Sequence, residues 1–98
     1  MALHKHATMA DLRGAIRHYR VIRFRYEGRS YTVEPHHLGR NPKTGTYELT
    51  AWVRSGDPGK EPGWRTFNYW KVRGLDVMPD NFLPRLGLDR ATDPLLAG

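Results

Sequence analysis

The sequence predicts a mainly β domain with one N-terminal helix, folded as a small, partly open barrel of about five strands. Three observations predict it. Residues 47–53 alternate cleanly, with Tyr47, Leu49, Ala51 and Val53 on one face and Glu48, Thr50 and Trp52 on the other. Residues 21–26 and 30–34 alternate in the same way around Glu27-Gly28-Arg29, which reads as a hairpin turn. Turn residues then recur at short intervals, as expected of strands that fold back on each other. Closing a sheet removes exposed edges, and this favours a barrel for a short chain.

Residues 8–19 read as a helix. Thr8 is a candidate cap, with Asp11 three residues on as an imperfect capping box. Leu12, Ala15, Ile16 and Tyr19 form an apolar stripe, and Arg13, Arg17 and Arg20 lie mostly away from it. Gly14 costs about 1 kcal/mol relative to Ala in a helix, so a close-packing role is expected there. His18 falls at the helix C-terminus, where a cation suits the dipole.

In the first strand Ile22, Phe24 and Tyr26 share one face, and Val21, Arg23 and Arg25 the other, with the two arginines read as outward. In the second, Tyr31 and Val33 face in, and Pro35 is expected to end it because proline cannot donate to a ladder. Residues 36–46 read as a connector, and 54–63, with Gly56, Pro58, Gly59, Pro62 and Gly63, as a loop. Residues 64–69 form the next strand, with Arg65, Phe67 and Tyr69 on one face. A short turn and a last strand over 74–78 follow, stopped by Pro79. The expected division is an end segment 1–7, a domain 8–82 and a tail 83–98. The tail carries Phe82 just before it and Leu86, Leu88, Leu95 and Leu96 within it. It reads as a clasp, a short helix or an oligomer contact.

With 98 residues the chain is one domain with one modest core. It has no cysteine, which excludes disulfides and thiolate metal sites. No run of about 18 apolar residues is present to span a membrane. The opening Met1-Ala2-Leu3-His4-Lys5-His6 lacks the apolar stretch of a signal peptide, so a cytoplasmic protein is expected. The net charge is +6 and the isoelectric point about 10.1. Residues 79–98 hold Arg85 and Arg90 against Asp80, Asp89 and Asp93, a balance of −1, so residues 1–78 carry +7. A domain this basic favours a polyanionic partner.

Signals for catalysis are missing. Neither GxGxxG, the Walker pattern, a G-x-S-x-G elbow nor HExxH occurs. His4 and His6 lie near the chain end, and the neighbouring His36 and His37 diverge on an extended segment. No metal or other cofactor is expected, and no enzyme. Glu34 and Glu48 are expected to pair with outer-face arginines. The positive signal is arginine interleaved with aromatics: Arg23 and Arg25 on the first strand, Arg65 beside Trp64, and Lys71 and Arg73 after Tyr69-Trp70. Guanidinium groups pair bidentately with phosphate, and exposed aromatics stack on bases. The bland reading of such pairs is arginine lying over tryptophan as cover.

Three segments in order resemble a WYL domain, a bacterial module named for a Trp-Tyr-Leu triplet. The first is the helix with Ala15-Ile16 followed by Val21-Ile22-Arg23-Phe24-Arg25-Tyr26. The second is Val33-Glu34-Pro35-His36-His37-Leu38, leading into Tyr47-Glu48-Leu49-Thr50-Ala51-Trp52 at the name triplet. The third is Arg65-Thr66-Phe67, then Lys71-Val72 and Phe82. Residues 12–82 are covered. Tyr47 and Glu48 replace the first two letters of the triplet, Asn68 a second basic residue and Trp70 an acidic one.

The resemblance implies an Sm-like, SH3-type barrel and a sensor of nucleic-acid fragments or nucleotides. Such modules usually sit in transcription regulators beside a DNA-reading winged helix, for which 98 residues leave no room; a solitary module is expected. Arg65 and Lys71 match basic positions of the family, and His37 and Arg40 lie near the segment after the proline. With Arg23, Arg25, Tyr47 and Trp70 they form the expected ligand site. The expected partners are single-stranded nucleic acid or a nucleotide, together with a DNA-binding regulator or a second copy of the chain. The alternative is an SH3-type protein-interaction module with Trp52, Trp64 and Tyr69 lining an apolar groove.

Overall fold

The computed structural model describes residues 8–56 and 61–85. Helix α1 (Met9–Arg17) is followed by strands β1 (Arg20–Tyr26), β2 (Arg29–Arg40), β3 (Tyr47–Gly56) and β4 (Gly63–Asn68). A single 3-10 turn, Tyr69–Lys71, leads into β5 (Val72–Asn81). The strands form one antiparallel sheet in the order β4-β3-β2-β1-β5. β4 and β5 are its two edges, so the sheet is open where a closed barrel would pair them.

Local chemistry sets the first elements. Thr8 caps α1, its hydroxyl accepting the Asp11 amide at 3.1 Å. The helix buries Leu12 and Ala15 against the sheet. It ends at His18, because Tyr19 takes a φ of 54°, a left-handed conformation that reverses the chain into β1. Gly14 has no close-packing role: an added Cβ would meet nothing within 4 Å. Gly14→Ala should therefore raise stability by about 0.5–1 kcal/mol, the helix-propensity difference, measured as a higher urea midpoint. A lower midpoint would show that the added methyl meets an obstacle.

The β1–β2 hairpin turns on Glu27 (φ 52°) and Gly28 (φ 81°), both left-handed, the pattern that matches strand twist in two-residue loops. Two prolines behave otherwise than the sequence predicts. β2 runs through Pro35 to Arg40, and the connector shrinks to residues 41–46. Pro35 lies beyond the last β1–β2 pair and at a register shift in the β2–β3 ladder, where a missing donor is tolerated. β5 runs through Pro79 to Asn81 because it is an edge strand with a register shift opposite residues 20–22. β3 extends to Gly56, so the expected loop begins later, and part of it, residues 57–60, lies outside the described residues. The expected segment 1–7 and the tail leucines at 86, 88, 95 and 96 do too.

The core lies between α1 and the inner face of the sheet. Ile22, Phe24, Tyr26, Tyr31, Val33, Leu49, Ala51 and Phe67 are all buried there. Phe67 is the hub: its ring centroid lies 5.0 Å from Phe24, 4.9 Å from Tyr26 and 5.2 Å from Tyr31, edge to face in each case.

Candidate nucleic-acid interface

The basic residues of the sequence separate into distinct places. Arg23 and Arg25 project from the exposed face of β1, on the side opposite the core, as alternation requires. Arg25 stands directly across from Arg73 of β5, and Arg23 across from Asp76. Directly opposed residues lie about 4.5–5.5 Å apart at Cβ, so Arg25 and Arg73 are a like-charge pair. Among the described residues both bond only neutral acceptors. Arg25 donates to the Gly28 carbonyl at 2.9 Å and the Ser30 hydroxyl at 3.5 Å. Arg73 donates to the carbonyls of Trp70 at 2.6 Å and Val72 at 3.0 Å. Neither Arg23, Arg25 nor Arg73 forms an ion pair with a described residue.

Trp70 belongs to the same end of the sheet. It sits in the 3-10 turn, which Asn68 caps by accepting the Trp70 amide at 2.9 Å. The turn turns Tyr69 into the core and leaves Trp70 58% exposed. Asn68 and Trp70 therefore cooperate, one capping the turn that presents the other. Lys71 joins them, paired at 3.0 Å with Glu27 of the hairpin, whose carboxylate raises the ammonium pKa.

The other expected residues lie elsewhere. Arg65 is on the inner face of β4 opposite Ala51, its guanidinium 5.2 Å from the Tyr31 ring centre and 5.3 Å from that of Phe67. It covers the rim of the core. Tyr47 is half-buried against the same core. His37 lies over Gly39, where a Cβ would stand 2.5 Å from its ring, and Arg40 pairs with Tyr47 at the far end of β2. His37 and Arg40 share a cleft of about 410 Å3 with Lys43, and His37 also borders Arg13 and Arg17 of α1. Four of the eight expected residues, Arg23, Arg25, Lys71 and Trp70, are thus brought to one end of the sheet. His37 and Arg40 lie in a second basic region, and Arg65 and Tyr47 line the core.

A different constellation lies on the outer face of the central strands, with its centre in none of these residues. Glu34, Trp52 and Trp64 form a row across β2, β3 and β4. Glu34 is 2% exposed yet charged, accepting from Arg54 Nε at 2.8 Å and from Arg85 Nε at 2.7 Å and a terminal nitrogen at 3.1 Å. Burial pushes its carboxyl up, but hydrogen bonds and charge from Arg85 and Arg54 outweigh this and hold it below its ordinary 4.5. The Arg85 guanidinium also lies 4.2 Å above the Trp52 ring. Tyr69, the third aromatic of the expected apolar groove, is in the core and does not join the two tryptophans. Pairing of Glu34 with arginine was legible in the sequence, and so was arginine as cover for tryptophan; that a residue 51 positions away does both was not.

Comparison with known family models, with curated proteins and with solved structures found no match. Among the described residues no cluster of three or more His, Asp or Glu is placed to hold a metal ion. No described helix is long and apolar enough to cross a membrane.

Proposed function

We propose that the chain is a non-enzymatic, WYL-like sensing or regulatory module that binds single-stranded nucleic acid or a nucleotide. The proposed contact is the hairpin end of the sheet, with Arg23, Arg25, Arg73 and Lys71 on phosphates and Trp70 on a base. The observation that carries this reading is the opposed pair Arg25 and Arg73 beside an exposed tryptophan. Like charges held directly opposite each other destabilise a sheet unless something neutralises them. No described carboxylate pairs with either, and a phosphate between them does so. An exposed indole next to that phosphate supplies the stacking surface that sequence-tolerant single-strand binding uses. Acting beside a DNA-binding regulator or as a homo-oligomer belongs to the same proposal, because a sensor needs an output.

Fluorescence anisotropy with labelled single-stranded DNA, single-stranded RNA and duplex over a salt series tests it. Single strands should bind more tightly than duplex, with affinity falling as salt rises. Trp70→Ala should weaken binding about fivefold to 150-fold, matching about 1–3 kcal/mol for a stacked base. Arg25→Ala and Arg73→Ala should each lower the salt slope by about one contact. Arg65→Ala discriminates between faces: an unchanged slope supports the hairpin end, and a lowered slope moves the site to the inner face. Absence of binding at low salt would exclude nucleic acid.

A further inference from the structure

The outer-face constellation is built around an arginine. Glu34 presents both carboxylate oxygens to Arg85 from a buried position, a geometry that a lysine ammonium cannot match. Trp52 supplies a ring face 4.2 Å from the guanidinium carbon, and Trp64 holds that ring edge to face at 5.5 Å. His36 reads the backbone: the Arg85 amide donates to Nε2 at 3.0 Å, which requires the proton on Nδ1, and Nδ1–H donates to the Glu34 carbonyl at 2.8 Å. The His36 ring also packs on Phe82, with centroids 5.1 Å apart.

Residues 82–85 therefore lie on this face as a ligand lies in a receptor. Two side chains, Phe82 and Arg85, are engaged, while Leu83 is 86% exposed and Pro84 is exposed. Two backbone donations hold the segment, Phe82 to the Tyr19 carbonyl at 2.9 Å and Arg85 to His36. A cleft of about 680 Å3 lies beside the segment, walled by residues 81–85 with Glu34 and Arg54. Withdrawal of Arg85 leaves Glu34 still paired with Arg54, so the emptied site does not strand a lone buried charge.

We propose that the cluster of Glu34, His36, Trp52 and Trp64 is a recognition site for an extended, arginine-bearing peptide of a partner protein, which residues 82–85 occupy in cis. The preferred peptide has an aromatic residue three positions before the arginine, matching Phe82 and Arg85. A segment tethered to its own site competes at high effective concentration, so the site stays closed until a partner of better fit or higher avidity displaces it. Nothing in this proposal rests on the nucleic-acid reading, which concerns the other end of the sheet.

The test uses the full chain and a synthetic peptide of residues 80–85, blocked at both ends. Binding is measured by calorimetry and by tryptophan emission. The Arg85→Ala variant should bind the peptide at least tenfold more tightly than the unaltered chain, because the competitor in cis is disabled. A peptide with lysine in place of the arginine should bind about tenfold more weakly, and Glu34→Gln combined with Arg85→Ala should lose binding. Equal binding by the unaltered chain and Arg85→Ala, or none by a folded Arg85→Ala, would overturn the proposal. If Arg85→Ala does not fold, the unaltered chain, labelled with nitrogen-15, is titrated with excess unlabelled peptide and its own Arg85 amide and guanidinium signals are followed by NMR. A shift of these signals supports displacement, and unchanged signals overturn it. A dimeric mass for the unaltered chain that becomes monomeric in Arg85→Ala assigns the site to a second copy and overturns the partner reading.

Discussion

Phe67→Ala is expected to cost about 3–5 kcal/mol, the range for removing a fully buried aromatic side chain. Phe67 is 0% exposed and touches three rings edge to face, so its loss leaves a cavity and removes three aromatic contacts together. Arg65 gains nothing from the change, because its guanidinium loses one of the two rings it covers. A single domain of this size has about 5–15 kcal/mol of stability in all, so the variant should lie close to the unfolding threshold. Chemical denaturation at several temperatures measures the loss. A cost below about 1 kcal/mol would mean that neighbouring rings collapse into the space.

Glu34→Ala ranks second, at about 2–4 kcal/mol. Breaking a buried ion pair from one side costs about 3–5 kcal/mol when both partners are buried. Here the figure is reduced, because the arginine side chains are 38% and 41% exposed and water screens part of the interaction. The same carboxylate sets an acid dependence. Its folded-state pKa lies below the ordinary 4.5, so the native state prefers the charged form more than the unfolded chain does. The contribution is complete above that ordinary value and is lost as pH falls through the lower folded value. Urea midpoints measured from about pH 7 to about pH 3 should fall on the acid side and fall less steeply in Glu34→Gln, which cannot ionise. Identical acid limbs in the two proteins would show that other carboxylates govern acid unfolding.

Elements with strong local rules were legible in the sequence. Helix α1 carries its own cap in Thr8, and the β1–β2 hairpin carries its own turn in Glu27-Gly28, so both lie close to where the pattern predicts. The two prolines misled because their cost depends on the neighbouring strand, which periodicity does not report. Pro35 falls at a bulge and Pro79 on an edge, and both strands continue. Closure was illegible for a related reason: pairing of the outermost strands leaves no mark on alternation. At the site, alternation placed Arg65 on one face with Phe67 and Tyr69, but only the packing makes that face the inner one and Arg65 a cover for the core. Arg73 was visible as a cation after Trp70, but only the β1–β5 register sets it against Arg25. The Glu34 site was the least legible, since its two arginines come from β3 and from beyond β5.

The strand order also decides when the sheet is finished. β1 lies between its immediate successor and the last strand, so Arg20 pairs with Asn81 across almost the whole described domain. The hairpin of β1 and β2 forms from neighbours, whereas the second side of β1 waits for a partner about fifty residues later. Such distant pairing slows folding, because loop closure is paid before the contact forms. Meanwhile β1 is a bare edge, open to the wrong chain as well as the right one. Arg20, Arg23 and Arg25 lie along that strand, and like charges on an unpaired edge repel another copy of it. During folding, the residues proposed here to hold phosphate would act as gatekeepers against aggregation. A polyanion bound early at the hairpin would neutralise them while β1 is still unpaired.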